Sequence, residues 1–388
     1  MKPGNPTDSR IQNLDILRAL AVVLVLVKHF FHLRLSPGDF AALDPIRPLM
    51  RAGWIGVPIF FVLSGYLIGH LLFREYATTG TVGLKRFWIR RGFKIYPPFY
   101  LVILVYSAYL LVFEGHLDME RFFCEIFFIQ NYGKGGLIDV TWSLAVEEHF
   151  YVIFPLFLLL LIKCRPSDSL PRETDRVRVT FRPILLITAL LMVGCLLMRL
   201  EAVSWPVMRG RGIMMTHLRI DALFAGAAMA YMHQVHPGRL LPFFKRHAVV
   251  LTILAALLTY PAFLPEITYG KVFYLGWFSL ILTVSAVLML GVALSVSTSD
   301  TKVARVAAWL GTYSYGIYLC HVPVYRLANK IAEWLPHRPH VYIWVPLSAA
   351  LACVVGIVLT RLVEFPMLRV RDRYFPRPAR TQPTEVRT

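Results

Sequence analysis

What most constrains this chain is a series of apolar runs, each close to twenty residues long, joined by short segments rich in Lys, Arg, Gly and Pro. An α-helix rising about 1.5 Å per residue needs roughly that many residues to cross a hydrocarbon layer of about 30 Å. With 57% hydrophobic residues the chain reads as all-α, a polytopic membrane helical bundle rather than a soluble domain. About ten transmembrane helices are expected, at residues 14–33, 53–73, 95–113, 144–162, 183–199, 214–232, 248–264, 273–296, 306–325 and 341–362.

An even number of spans puts both termini on one side, and the distribution of Lys and Arg says which side that is. With the N-terminus inside, the inner segments carry 27 of the 41 basic residues and the outer segments the other 14, so the expected topology is N-in and C-in. The bias is imperfect. Outer segments near Arg199, Arg209, Arg211 and Arg219, and near Arg326, Lys330 and Arg338, are also basic, and such exceptions call for a functional explanation.

The leader holds Lys2, Asp8 and Arg10 and no small-residue cleavage site follows the first run, so an uncleaved signal anchor is expected. Residues 1–13 then form a cytoplasmic tail, 14–366 the transmembrane domain, and 367–388 a basic, Pro-rich cytoplasmic tail. The longest inner loop, Lys163 to Arg182, is charged and lacks apolar periodicity, so no second folded domain is expected. The five cysteines are scattered without ligand spacing and imply neither a disulfide framework nor a metal site. A formal charge of +18 sits in short loops and the C-terminal tail, which suits anionic lipid headgroups better than nucleic acid. No internal repeat is visible, and that counts against a transporter built from duplicated halves.

Ionisable side chains within hydrocarbon are costly and mark sites, relays or ion paths, so the polar constellations carry the functional argument. Arg18 and His29 bracket an otherwise apolar run. Eleven residues make three helical turns, which sets both on one face roughly 16 Å apart; the alternative is that each snorkels to its nearer interface. The stretch from Lys85 to Pro98 is a dense cationic loop containing Arg90, Arg91 and Lys94, with prolines at the start of the third span. It suits the phosphates of a cytoplasmic cofactor, or it merely anchors the neighbouring helices. The fourth span opens with Trp142, Glu147, Glu148, His149 and Tyr151, and adjacent carboxylates there have little structural value without a partner or a cavity. Arg219 and Asp221 open the sixth span, and Tyr318 and His321 lie in the ninth, at a similar outer depth. Gly65 and Gly69 in the second span have the spacing that lets another helix approach closely. Glu364 either pairs with an inner basic residue or, with Pro366, marks the end of the last span.

In order along the chain, Arg18 and His29, the segment from Phe60 to Gly69, Arg90-Arg91 to Pro97, Trp142 to Tyr151, Arg219 to Gly226, Ser314 to Pro323, and Glu364-Phe365-Pro366 form a specific set. This set resembles the acyltransferase 3 family of integral membrane acyltransferases, from about Asp15 to Pro366. The resemblance implies transfer of an acyl group, usually acetyl from acetyl-CoA, to hydroxyls of surface carbohydrates or other acceptors at the bacterial inner membrane. Its implied partners are acyl-CoA as donor substrate, a carbohydrate or other hydroxyl acceptor and the lipid bilayer, with no metal and no nucleic acid. On this reading His29 and Glu147 are catalytic, with His29 as general base, and Arg18, Arg90, Arg91 and Lys94 bind acyl-CoA. Trp142, Glu148, Arg219, Asp221, Tyr318 and His321 are then candidates for the acceptor side or the oxyanion. Two positions depart from the family pattern: Lys94 stands where Arg is common, and His149 where Gln is frequent. Some relatives carry a further hydrolase-like domain; this chain ends at Thr388 and is expected to act alone. Direct transfer and a covalent acyl-histidine or acyl-tyrosine relay are both compatible with these residues. The rival readings are acylation of a small molecule such as a macrolide, and a proton-coupled transporter whose His and Glu residues carry protons.

Overall fold

The computed structural model describes residues 6–33, 41–164, 173–204, 214–264, 273–297, 300–337 and 340–376. No strand occurs among them. Helix α1 (Pro6–Lys28) ends in a 3₁₀ turn, His29–His32, and is followed by α2 (Arg47–Ala52) and α3 (Gly56–Thr79). Helix α4 (Leu84–Tyr109) continues through a π-helical turn, Leu110–Glu114, to α5 (Met119–Ile126) and α6 (Trp142–Cys164). Next come α7 (Glu173–Phe181), α8 (Pro183–Ser204), α9 (Ile220–Val235), α10 (Pro237–Arg246), α11 (Ala248–Thr259) and α12 (Phe273–Ser295). Helices α13 (Lys302–Thr312) and α14 (Ser314–Trp334) precede α15 (Val341–Leu359), a π-helical turn at Thr360–Glu364, and α16 (Phe365–Tyr374).

Each of the ten apolar stretches read from the sequence lies on helical structure. Six stretches, 44–79, 84–114, 139–164, 173–202, 277–295 and 341–374, are long and apolar enough to cross a membrane. The pair α10 and α11, bent by 75° at its junction, is long and apolar enough for a seventh if it is one broken span, and the chain is a polytopic helical bundle. The other expected spans fall on α1, α9 and α13–α14. Helix α9, with sixteen residues, reaches only about 24 Å. It is nonetheless buried along most of its length against α3, α8 and α12, and α1 lies against α3, α12, α13 and α14. Helix α9 and the apolar α3 form the buried centre, with 72% of the apolar window in 44–79 buried.

Close backbone approach fixes the central pair. A Cβ at Gly65 of α3 would collide with the Leu223 carbonyl of α9, and one at Gly226 with the Val62 carbonyl, so the two glycines dock each helix into the other. A second device handles a helix-breaking residue. Pro155 inside α6 has no N–H for the carbonyl of Tyr151, and the Trp88 indole N–H of α4 donates to that carbonyl at 2.9 Å.

Three local expectations are revised. The cationic stretch expected as a loop is the beginning of α4, with Pro97 and Pro98 well inside the helix. The charged segment before α8 contains α7, whose Val177, Thr180 and Phe181 are buried, with the Thr180 hydroxyl 2.9 Å from that of Tyr76. The C-terminal tail expected from 367 stays helical to Tyr374 and packs on α4; the remainder of that tail, from 377, and Arg209, Arg211 and Arg338 lie outside the described residues.

Candidate active site

Helices α1, α3, α4, α6 and α14 converge on a cavity with about 120 Å³ of water-accessible volume. Its polar lining is Arg18 of α1, Ser64 of α3, Arg91 and Lys94 of α4, Glu147, Glu148 and Tyr151 of α6, and Tyr315 and Tyr318 of α14. Arg91 and Lys94 are one turn apart, so α4 presents both to the same space. Every charge there has a counter-group. Arg18 ion-pairs with Asp15 one turn earlier, and Lys94 lies within electrostatic reach of Glu364 and Glu147. The Arg91 guanidinium lies 5.6 Å from the centre of the Tyr151 ring. Glu147 accepts from the Tyr151 hydroxyl at 2.7 Å and from the Ser64 hydroxyl at 3.1 Å, while Glu148 accepts from the Tyr96 hydroxyl at 3.1 Å.

A second cavity, of about 150 Å³, lies at the end of α1 where the 3₁₀ turn begins. Lys28, His29, Phe31 and His32 line it from one side, and Trp54, Asp139, Val140, Trp142 and Met214 from the others. Val57 and Tyr318 line both cavities and are the partition between them. The Tyr318 hydroxyl is anchored at 2.5 Å from the Ser143 hydroxyl and donates to the Val140 carbonyl at 2.9 Å. Three bonds from α14 steady the end of α1 and the turn that carries His29. His321 Nε2 is 3.2 Å from His29 Nδ1, Asn329 Nδ2 donates to the His32 carbonyl at 2.8 Å, and the Tyr325 hydroxyl donates to the Leu26 carbonyl at 3.4 Å.

The wall containing Asp139 and Val140 is held from below by Glu125 of α5, a fully buried carboxylate. It accepts from the Leu137 N–H at 2.6 Å, the Ile138 N–H at 3.3 Å and the Thr141 hydroxyl at 2.6 Å. Burial pushes this carboxyl up to about 7, against the pull of those donors. Asp139 also pairs with Arg326 at 3.5 Å.

Arg18, Arg91, Lys94, Glu147, Glu148 and Tyr318 thus share the basic cavity, and His29, Trp142 and Tyr318 the histidine cavity. Glu147 and His29 stand on opposite sides of the Tyr318 partition, and the group in contact with His29 is His321. Four expected residues line neither cavity, and one of them is His321, which sits against His29. Arg90 faces the C-terminal helix, donating to Asp372 at 2.8 Å and to the Phe375 carbonyl. Asp221 forms a buried pair with Arg199 at 2.9 Å. Arg219 lies 5.7 Å from the centre of the Trp142 ring, behind the histidine cavity, and donates to Ser279 at 2.5 Å. Arg199, Arg219 and Arg326, basic residues of the segments expected to be outer, make internal contacts. His149, 2.6 Å from the Thr216 hydroxyl, is a packing residue outside both cavities. Sequence reasoning passed over His32, Trp54, Asp139, Ser64 and Glu125; His32 alone carried a signal, as a second imidazole three residues after His29.

The sequence profile of the acyltransferase 3 family, described as an acyltransferase domain, matches residues 11–362. The peptidoglycan O-acetyltransferase OatA of Listeria monocytogenes is 27% identical over 387 residues, covering 92% of this chain and 56% of that protein. The putative peptidoglycan O-acetyltransferase YrhL of Bacillus subtilis is 28% identical, covering 95% and 56%, and a putative O-acetyltransferase of Staphylococcus aureus is 25% identical, covering 94% and 60%. The chain spans little more than half the length of these relatives. No solved structure matches significantly. The profile takes in nearly the whole bundle, including every residue of both cavities, and the chain belongs to the acyltransferase 3 family.

Proposed function

We propose that this protein is an O-acyltransferase of the bacterial cytoplasmic membrane that moves an acyl group, acetyl from acetyl-CoA, to a hydroxyl of a surface glycan. The observation that carries the reading is the pair of cavities meeting at Val57 and Tyr318, one lined by Arg18, Arg91 and Lys94 and the other by His29. The family supports acyl transfer, and the peptidoglycan acetyltransferases among the relatives support a glycan rather than a small molecule as acceptor. With the basic end facing the cytoplasm, where acyl-CoA is found, Arg91 and Lys94 meet the donor's phosphates at the mouth and Arg18 holds it further in. Arg90, tied to Asp372, closes the C-terminal helix over that mouth.

The acceptor hydroxyl occupies the histidine cavity, where the faces of Trp54 and Phe31 suit a sugar ring. Neutral His29 takes the hydroxyl proton as the oxygen attacks the thioester carbon. The new C–O bond forms, the C–S bond breaks, and the proton passes from His29 to the departing thiolate sulfur, giving ester and free CoA thiol. General-base catalysis of this kind is worth about 10² to 10⁴ in rate. Glu147, on the donor side, orients the cationic residues rather than the base.

The test uses the purified full chain in liposomes with radiolabelled acetyl-CoA and soluble peptidoglycan fragments. Transfer of label to the glycan, lost in His29→Ala and reduced by neutralising Arg91 and Lys94, is expected. Wild-type transfer by His29→Ala would overturn the assignment of the base, and absence of any thioester turnover would favour a proton-coupled transporter.

A further inference from the structure

The hydrogen bonds around His29 determine which of its two nitrogens can act, and they run through a residue that lines neither cavity. His321 is fully buried on α14. Its Nδ1 is 2.6 Å from the carbonyl oxygen of Tyr318. A carbonyl only accepts, so His321 Nδ1 carries the ring proton and Nε2 keeps its lone pair. That lone pair is 3.2 Å from His29 Nδ1, which is also 2.8 Å from the Val25 carbonyl. Both neighbours of His29 Nδ1 are acceptors. The proton of neutral His29 is therefore held on Nδ1, and Nε2 is the unprotonated nitrogen on a ring that lines the histidine cavity.

We infer that His321 is a positioning residue for acyl transfer: its Nε2 acts with the Val25 carbonyl to keep the proton of His29 on Nδ1 and orients the ring, leaving His29 Nε2 as the base and giving the imidazolium formed during attack a second acceptor for its other proton. The inference rests on the proposed role of His29. The geometry is that of a relay in which a second ring, itself oriented by a backbone carbonyl, faces the protonated nitrogen of the first; no net proton leaves the pair during the cycle. Tyr318 thereby contributes twice, its ring to the partition and its backbone oxygen to the relay.

The experiment compares wild type, His29→Ala, His321→Gln and His321→Phe in the liposome transfer assay, and reads the tautomer of His29 by NMR of histidine-¹⁵N-labelled protein, with His29→Ala assigning the signal. Gln can present an acceptor oxygen to His29 Nδ1, whereas Phe fills the space without one. The expected result is a kcat about 10- to 100-fold lower in His321→Phe with KM for both substrates within about threefold, and His321→Gln recovering to within about tenfold of wild type. The Nδ1–H signature is expected in wild type and His321→Gln; in His321→Phe the Val25 carbonyl alone holds that proton, and the Nδ1–H resonance is expected to move from its wild-type position. A wild-type kcat in His321→Phe with the His29 Nδ1–H resonance unmoved overturns the inference while leaving His29 as base. Wild-type transfer by His29→Ala overturns both.

Discussion

Replacing Tyr318 tests whether this residue is a wall or a carrier of the acyl group. Its hydroxyl makes two bonds, to Ser143 at 2.5 Å and to the Val140 carbonyl at 2.9 Å. Ser143 also donates to the same carbonyl at 3.2 Å. Tyr318→Phe therefore leaves no buried carbonyl without a partner, and the loss is that of one ordinary hydrogen bond, about 1 kcal/mol. If the hydroxyl is only an anchor, transfer stays within about tenfold of wild type, since about 1.4 kcal/mol corresponds to that factor. Tyr318→Ala is a different perturbation. It removes a ring packed edge-on against Phe60 at 5.9 Å and joins cavities of about 120 and 150 Å³. Truncating a buried aromatic costs about 3–5 kcal/mol of stability, so its protein must be checked for folding by size exclusion. Where it folds, water from the histidine cavity gains access to the thioester.

The assay follows acetate release and glycan ester together, from the same labelled acetyl-CoA. The ratio of hydrolysis to transfer should rise at least about tenfold in Tyr318→Ala and stay near the wild-type ratio in Tyr318→Phe. Abolition of transfer by Tyr318→Phe would refute the wall and favour an acyl-tyrosine relay. An unchanged ratio in Tyr318→Ala would refute the partition itself.

Three further outcomes follow from contacts outside the two cavities. Trp88→Phe strips the Tyr151 carbonyl of its donor and should cost about 1–3 kcal/mol by detergent thermal shift; Pro155→Ala restores the missing N–H, so the double variant should recover most of that loss. Either Arg199→Met or Asp221→Leu alone leaves a buried charge and should destabilise by about 3–5 kcal/mol, whereas the two together should cost less than the sum, a coupling that a double-mutant cycle measures. Glu125 has a folded-state value of about 7 against an ordinary 4.5. The stability its neutral form contributes is complete below the ordinary value and is lost as pH rises through about 7. Tm should fall over that window in wild type, and the fall should flatten in Glu125→Gln.

How far the sequence reached depended on whether a property is local or requires a distant partner. Helix positions followed from apolar run length, and the close approach of another helix to α3 followed from the spacing of Gly65 and Gly69, because both are properties of one segment; that the partner is α9 required the fold. The Arg18 and His29 spacing placed each at a cavity for the same reason. Arg90 and Arg91 show where this fails. Neighbouring residues on a helix point about 100° apart, so one faces the C-terminal helix and the other the cavity, and nothing in a run of adjacent cations says which. The apolar residues that helix α7 buries are the i, i+4 pair Val177 and Phe181, set among charged residues, too short a stripe to register as periodic. The partner of His29 stands 292 residues away, and that of Arg199 is set by how α8 meets α9, so both required the fold.

One helix, α14, organises both halves of the proposed site, and this bears on what each perturbation can report. Tyr318 supplies the partition with its side chain and the relay with its carbonyl, while His321 and Asn329 bind the turn that carries His29 and Tyr325 binds the last turn of α1. The turn is 3₁₀ and only four residues long, with little rigidity of its own, so its position is set by the helix it is tied to. A side-chain change at 318 leaves the backbone oxygen in place and with it the orientation of His321. Tyr318→Ala should therefore separate hydrolysis from transfer while His29 keeps its Nδ1–H tautomer, whereas His321→Phe should slow both reactions in proportion. Finding the opposite pattern would mean that the ring, not the carbonyl, is what aligns the base.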